Sequence, residues 1–202
     1  MDFEWIPHPQ NDDTIILIHG WACLPSDFHL QIDHFKKTHS LLLPHYSNLN
    51  THTIPPDSNA LEWIAKQIQP AIRQHHIQQA TLVGHSMGGS IALCLSELPP
   101  CVFTDVVLLD SSVIMTDAKR KAFTELGKKI LTDDGTITLS AFIDSYMINN
   151  THDNANIMKE KKAEILSVDK QSPQLLSRLI TDAANLQCQP ILKQLANAHY
   201  IA

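Results

Sequence analysis

Four short apolar runs constrain the fold of this chain more than any other feature of its sequence. They are Thr14–Ile18 (TIILI), Ser40–Pro44 (SLLLP), Ala80–Gly84 (ATLVG) and Val102–Asp110 (VFTDVVLLD). Short runs that are mostly apolar rather than alternating indicate strands covered on both faces, as in a parallel sheet. The second run is expected to end at its proline, which cannot donate to a strand ladder. We therefore predict an α/β fold with a mostly parallel sheet flanked by helices.

Helical stretches connect these runs. We predict helices at Ser26–Thr38, Asn59–His76 and Ser86–Leu98, where apolar residues recur with helical spacing. In the second helix, Asn59 and Glu62 have the spacing of a capping box. Pro70 lies inside that helix and is expected to kink it. Strand and helix thus alternate through the first half of the chain, which is the pattern of βαβ units.

The second half has a different pattern. From Thr116 to about Ala196 the apolar spacing stays helical and predicts about four inserted helices. The last residues, AHYIA, are typical of the beginning of another strand. We divide the chain into a core at 1–111, a helical insertion at 112–196, and the start of a further core strand at 197–202.

Composition narrows the class of protein. A chain of 202 residues with 44% hydrophobic and 18% charged residues suits one globular domain. The net charge of -6 and the lack of a basic cluster argue against a nucleic-acid partner. The start, MDFEWIPHP, lacks the features of a secretory signal, and nowhere do 18 apolar residues run together, so we expect no membrane association.

Cysteine and histidine spacing gives no support to a metal site. Cys23, Cys94, Cys101 and Cys188 are scattered without a CxxC pair, and the twelve histidines include no HExxH. We therefore expect a reduced, cytoplasmic protein without a structural or catalytic metal ion.

The stretch ATLVGHSMGGSIAL contains the strongest functional motif. Gly84-His85-Ser86-Met87-Gly88 matches G-x-S-x-G and lies between a predicted strand and a predicted helix. A serine in such a tight turn projects its hydroxyl above the strand ends, near the positive end of the following helix. The stretch does not fit the dinucleotide-binding or phosphate-loop patterns of glycines. Ser86 is therefore our candidate nucleophile.

A second stretch, IILIHGW, supports this interpretation. It follows the strand that we expect beside the Ser86 strand, so the backbone N–H of Trp21 can join that of Met87 in an oxyanion hole. His19 can be mistaken for a catalytic base, but we expect it to brace this loop. We expect His85 to pack beneath or beside the turn that carries Ser86.

Taken together, these motifs resemble the α/β-hydrolase superfamily. The resemblance rests on HGW, LVGHSMGGSIAL, VVLLDSS, the helical insertion and AHYIA, and it covers nearly the whole chain. The chain is most similar to small carboxylesterases, including the pimeloyl-carrier-protein methyl esterases of biotin synthesis. It departs from many relatives in LLLPHYSNLN (Leu41–Asn50), where they carry a D-x-P-G-x-G-x-S loop.

The resemblance implies a serine hydrolase that needs no cofactor. Its substrate would be a small-molecule acyl ester or thioester, cleaved through an acyl-enzyme on Ser86. Residues 112–196 would form a helical lid over an apolar acyl pocket. Within the lid, Phe142, Tyr146 and Met147 either line that pocket or pack between helices.

The triad partners of Ser86 are harder to find. Family members follow the chain order serine, acid, histidine, and only His152 and His199 follow Ser86. His152 lies in a polar turn, and His199 falls inside the last predicted strand, so both are poor candidates for the base. Asp110 ends the strand that follows the Ser86 motif and is our candidate acid.

By the family pattern, the usual acid and histidine lie beyond Ala202, so we expect a chain that lacks the C-terminal part of the fold. Losing the base of a serine triad costs on the order of 10⁶ in kcat, so we expect impaired activity. We also expect self-association through an exposed sheet edge.

Two alternatives stay open. One is a non-catalytic protein that uses the pocket to bind a ligand or partner. The other keeps the scaffold and the elbow but changes the reaction, since lyases, haloperoxidases and carbon–carbon hydrolases share them.

Overall fold

Strands of the computed structural model form a single sheet. The structure describes residues 1–99, 102–132, 140–142, 144, 163, 172–195 and 198–201. The strands are β1 (Asp2–Ile6), β2 (Thr14–Ile18), β3 (Ser40–His45), β4 (Ala80–His85), β5 (Phe103–Leu109) and β6 (Ala198–Ile201). They lie in the order β1-β3-β2-β4-β5-β6. Among these described strands, only β1 runs antiparallel to its neighbour, so the predicted mostly parallel α/β sheet is confirmed.

The strand predictions hold with one correction. β3 does not end at Pro44, as predicted, but continues to His45. It pairs with β2 only as far as Leu42, and beyond that it pairs with β1 alone. One side of β3 therefore needs no N–H donor at Pro44, and the proline is tolerated as it is on an edge strand.

Six α-helices lie wholly within the described part of the chain. They are α1 (His29–Phe35), α2 (Ala60–Gln74), α3 (Met87–Ser96), α4 (Asp117–Ile130), α5 (Pro173–Asn185) and α6 (Gln189–Gln194). The first predicted helix begins as a 3-10 turn at Pro25–Phe28. In α2, Asn59 caps the N-terminus by accepting a hydrogen bond from Leu61 N at 3.0 Å, and the helix continues past Pro70.

The two faces of the sheet bury different side chains. Ile16 and Ile18 of β2 pack on one face, in a core shared with α2, α3 and α5. Ile15 and Leu17 pack on the other face, in a smaller core that includes Phe28. Because successive strand residues point to opposite faces, a run with no polar residue after its first position is what a doubly covered strand requires.

Helices of the predicted insertion contact this same core. Leu175 and Leu179 of α5 and Ile130 of α4 are buried together with residues of α2. Most of the remaining insertion, including Tyr146, Met147 and His152, lies outside the described residues. Among the helices that the structure describes, none is both long and apolar enough to cross a membrane.

Candidate active site

Ser86 occupies a strained turn between β4 and α3. Its backbone has φ 52° and ψ -120°, a conformation that residues with a side chain rarely adopt. Two hydrogen bonds hold it: Ser86 N donates to Leu109 O at 2.8 Å, and Gly89 N donates to Ser86 O at 3.1 Å. Strain of this kind persists only where the surroundings impose it, and it concentrates at functional sites. The local geometry is a sharp strand-to-helix turn, which is the context that the G-x-S-x-G motif requires.

Close backbone packing explains the glycines around Ser86. A Cβ atom on Gly84 would lie 2.5 Å from Gly88 O, and one on Gly88 would lie 2.2 Å from Ile18 O. A Cβ on Gly89 would lie 2.2 Å from Ser111 Oγ. None of these contacts is possible for real atoms, so α3 can approach β2, β4 and the residue Ser111 after β5 this closely only with glycine at all three positions.

The loop after β2 lies directly beside the elbow. β2 pairs in parallel with β4, with Ile18 opposite Gly84. A Cβ on Gly20 would lie 3.2 Å from Ser86 Cβ, so the loop backbone touches the serine. Met87 begins α3, and the first N–H groups of a helix have no acceptor within it. The structure thus brings the loop that contains Trp21 and the N-terminus of α3, at Met87, to the same end of the strands.

His19 and Tyr46 brace this loop from below. The His19 ring stacks on the Tyr46 ring at 3.8 Å, and its Nδ1 lies 3.0 Å from Gly20 O. The Tyr46 hydroxyl donates to His19 O. Burial lowers the pKa of His19 to about 3, so the ring is neutral at neutral pH. His19 is a structural residue, as expected from the sequence.

Tyr46 is part of the site and was not predicted from the sequence. It lies in LLLPHYSNLN, the stretch that departs from the family pattern, and 27 residues separate it from His19. The departure from the family pattern was the available signal that this stretch has a role of its own. A tyrosine there also needs a partner for its hydroxyl once it is buried.

The side chain of Trp21 reaches the helical insertion. Its Nε1 donates to Leu176 O of α5 at 2.8 Å, and the side chain is buried. Its ring meets that of Phe142 edge to face, with centroids 5.3 Å apart. Phe142 therefore lies against a residue of the candidate site.

His85 is the last residue of β4, and Asp110 directly follows the neighbouring strand β5. Asp110 has a φ of 42°, and its N donates to Ile201 O at 2.8 Å. Burial lowers the pKa of His85, while the negative charge of Asp110 acts in the opposite direction. Asp110 thus lies at the same end of the strands as Ser86. It is close enough to His85, the residue before Ser86, to influence the charge of that ring.

His199 points away from this edge. It lies opposite Val107 in the β5–β6 ladder, and its Nε2 is 3.0 Å from Asp105 Oδ1. Asp105 pairs with Thr81 on β4, five residues before Ser86, which is about 16 Å along a strand. The structure does not bring His199 to Ser86, and His152 lies outside the described residues.

In the part of the chain that the structure describes, neither a metal site nor a cysteine nucleophile finds support. There, no three side chains of histidine, cysteine, aspartate or glutamate converge as a metal ion would require. Cys94 and Cys188 are buried, and burial raises the pKa of the Cys94 thiol to about 12, which makes it a poor nucleophile.

Known proteins with similar sequences have the same type of fold. The family pattern described as alpha/beta hydrolase fold matches residues 13–144. The uncharacterized hydrolase YugF of Bacillus subtilis is 33% identical over 116 residues. That match covers 52% of this chain and 40% of YugF, so the chain spans less than half of this relative.

Solved structures show the same fold at low identity. MenH from S. aureus superposes with a TM-score of 0.78 at 15% identity, over 99% of this chain and 79% of that chain. A thermophilic esterase from Thermogutta terrifontis gives a TM-score of 0.74 at 12% identity, over 98% of this chain and 82% of that chain. The esterase EaEST from Exiguobacterium antarcticum gives 0.73 at 17% identity, over 98% and 75%.

Proposed function

The chain belongs to the alpha/beta hydrolase fold family, and on this basis we propose that it hydrolyses a small carboxylic ester or thioester through an acyl-enzyme on Ser86. One observation carries the proposal. Ser86, at φ 52°, stands at the edge of the sheet with the backbone of Gly20 against it and the start of α3 behind it. Esterases among the structural neighbours agree with a hydrolase of this class.

In the proposed reaction, Ser86 Oγ attacks the acyl carbonyl carbon and loses its proton to a base. The carbonyl oxygen becomes an oxyanion, which the backbone N–H groups of Trp21 and Met87 stabilise. The C–O or C–S bond then breaks, the leaving group takes a proton, and water releases the acid from Ser86. Asp110 is the candidate acid that orients the base, and we assign no base from the described residues.

The proposed lid, residues 112–196, would shape an apolar pocket for the acyl group. Phe142 is the described lid residue that supports this, because its ring contacts Trp21. We also propose a cytoplasmic location, because the buried Cys94 and Cys188 are thiols and not a disulfide.

A second candidate function is binding without catalysis on the same scaffold. The position of His199 favours it, because the imidazole pairs with Asp105 at a distance from Ser86. A binding protein would keep its ligand unchanged, and its function would survive Ser86→Ala.

A fluorophosphonate probe tests the proposal, because it reacts covalently with activated serines. Because we assign no base, we expect slow labelling that gives one adduct per chain by intact mass, lost in Ser86→Ala and kept in Ser112→Ala, a serine after the neighbouring strand. Hydrolysis of p-nitrophenyl butyrate should follow the same pattern. A folded wild-type chain that neither labels nor hydrolyses would show that Ser86 has no working base, and retention of an unchanged ligand would then identify the binding protein.

A further inference from the structure

We propose that Trp21 is a positioning residue: its indole hydrogen bond to α5 sets the orientation of the peptide N–H that completes the oxyanion hole. The inference rests on the proposed function, and it extends that function by making α5 a determinant of turnover. Its basis is the contact between Trp21 Nε1 and Leu176 O, which joins the loop after β2 to a helix 155 residues away.

The loop that carries Trp21 is short and strained. Ala22, the next residue, has a φ of 56°, and Cys23 N donates to Gly20 O at 3.3 Å. A non-glycine residue at positive φ costs about 1 to 3 kcal/mol and needs support from its surroundings. The buried bond from the Trp21 indole to Leu176 O is such a support, because a buried indole N–H without an acceptor would be costly.

The helix that accepts this bond is itself fixed at one end of α2. Asp182 Oδ2 accepts from Ala60 N at 2.8 Å and from Arg178 Nε at 2.6 Å. Arg178 Nη2 donates to the carbonyls of Pro55, Pro56 and Ser58. These contacts hold α5 against the α2 N-terminus and the loop before it.

Helix α4 also packs closely against α5. Gly127 of α4 lies so close to α5 that a Cβ there would be 2.4 Å from Thr181 Oγ1. Arg120 Nη1 of α4 also donates to Ala184 O at 2.8 Å. The carbonyl of Leu176 is therefore presented at a fixed place, about 9 Å along the helix from Asp182, and Trp21 is held to it.

Removal of the indole N–H tests whether its bond to Leu176 O sets the orientation of the Trp21 peptide N–H. Trp21→Phe keeps a ring and the peptide N–H but cannot donate to Leu176 O, and a benzothienyl-alanine at position 21 replaces only the N–H by sulfur. We expect kcat for p-nitrophenyl butyrate to fall about tenfold in both, with KM within about twofold, because a small misplacement of one donor loses part of its effect. Trp63→Phe, in α2, is the matched control and should keep the wild-type kcat.

A readout without substrate separates this inference from the proposed function. The backbone amide of Trp21 should have an NMR order parameter of about 0.85 in the wild type and below about 0.6 in Trp21→Phe and in Asp182→Asn. The double variant should match Trp21→Phe, because both changes act through one contact. Asp33→Asn, on α1, should change nothing.

The outcomes are distinct. If the order parameter and kcat are both unchanged in Trp21→Phe, with thermal unfolding intact, the inference is wrong. If the order parameter falls but the wild-type chain neither labels nor hydrolyses, α5 does position Trp21 and the proposed function fails. If KM rises while kcat stays constant, Trp21 contacts substrate and does not position the donor.

Discussion

At the scale of single residues, burial sets the charge of His19. The pKa falls from 6.5 to about 3 because burial penalises the charged ring, and the nearby His45 and His85 act in the same direction. Between these two values the unfolded chain binds a proton that the folded chain excludes. The contribution of His19 to stability is therefore complete above pH 6.5 and is lost as the pH falls.

This linkage predicts a steep loss of stability in acid. On lowering the pH from about 7 to about 5, His19 alone should remove about 2 kcal/mol from the free energy of unfolding. His19→Asn, whatever its stability at pH 7, should lose that much less over the same range in urea titrations. His29→Gln, at an exposed histidine, should keep the wild-type slope. Equal slopes for wild type and His19→Asn would show that burial does not keep the ring neutral.

The glycines of the elbow give a second prediction at this scale. Gly88→Ala places a Cβ 2.2 Å from Ile18 O and 2.4 Å from His19 O, both backbone atoms that cannot rotate away. We expect a loss of about 3 kcal/mol in the free energy of unfolding. Gly127→Ala meets first the Thr181 hydroxyl, a side chain that can rotate, and its nearest backbone atom is Ser177 O at 3.2 Å. Because it also gains helix propensity, it should cost under about 1 kcal/mol. Similar losses in the two variants would contradict this account of the elbow.

At the scale of elements, Asp182 joins α5 to α2. It accepts from Ala60 N, one of the unpaired N–H groups at the start of α2, and from Arg178. Asp182→Ala leaves a partly buried arginine and a helix start without this acceptor, so we expect a loss of about 2 kcal/mol by chemical denaturation. Asp33→Ala removes an exposed pair with Lys36 and should leave the midpoint unchanged. A change in Asp182→Ala no larger than in Asp33→Ala would show that this junction is not stabilising.

The sequence predicted those elements whose apolar pattern settles their environment. β2 and β4 are continuous or nearly continuous apolar runs, and the structure places them within one residue of the prediction. β1 was not predicted, because it is a half-exposed strand that pairs on one side only and has no continuous apolar run. The extension of β3 past Pro44 depends on where β2 leaves it, which is a tertiary fact.

The candidate site divides in the same way. Short motifs contain Ser86, its glycines and the HGW loop. A tight strand-to-helix turn is a local structure that requires small residues at fixed positions, so the sequence shows it directly. The contacts of Tyr46 with His19 and of Trp21 with Leu176 join residues 27 and 155 positions apart. No spacing in the sequence encodes such pairs, since they depend on the path of the whole chain.

At the scale of the whole molecule, β6 predicts self-association. In the described part of the chain β6 pairs with β5 alone, so one row of its N–H and C=O groups faces outward. Ile201 on this strand is 55% exposed, which adds apolar surface to that edge. We expect a second copy of the chain to pair along β6, and the weight-average mass by light scattering to rise with concentration.

Ile201→Lys should suppress the rise, because edge lysines oppose pairing, while Leu131→Lys, equally exposed on the C-terminal side of α4, should not. A monomer at every concentration would mean that this edge does not pair between copies, and equal suppression by both lysines would place the contact elsewhere.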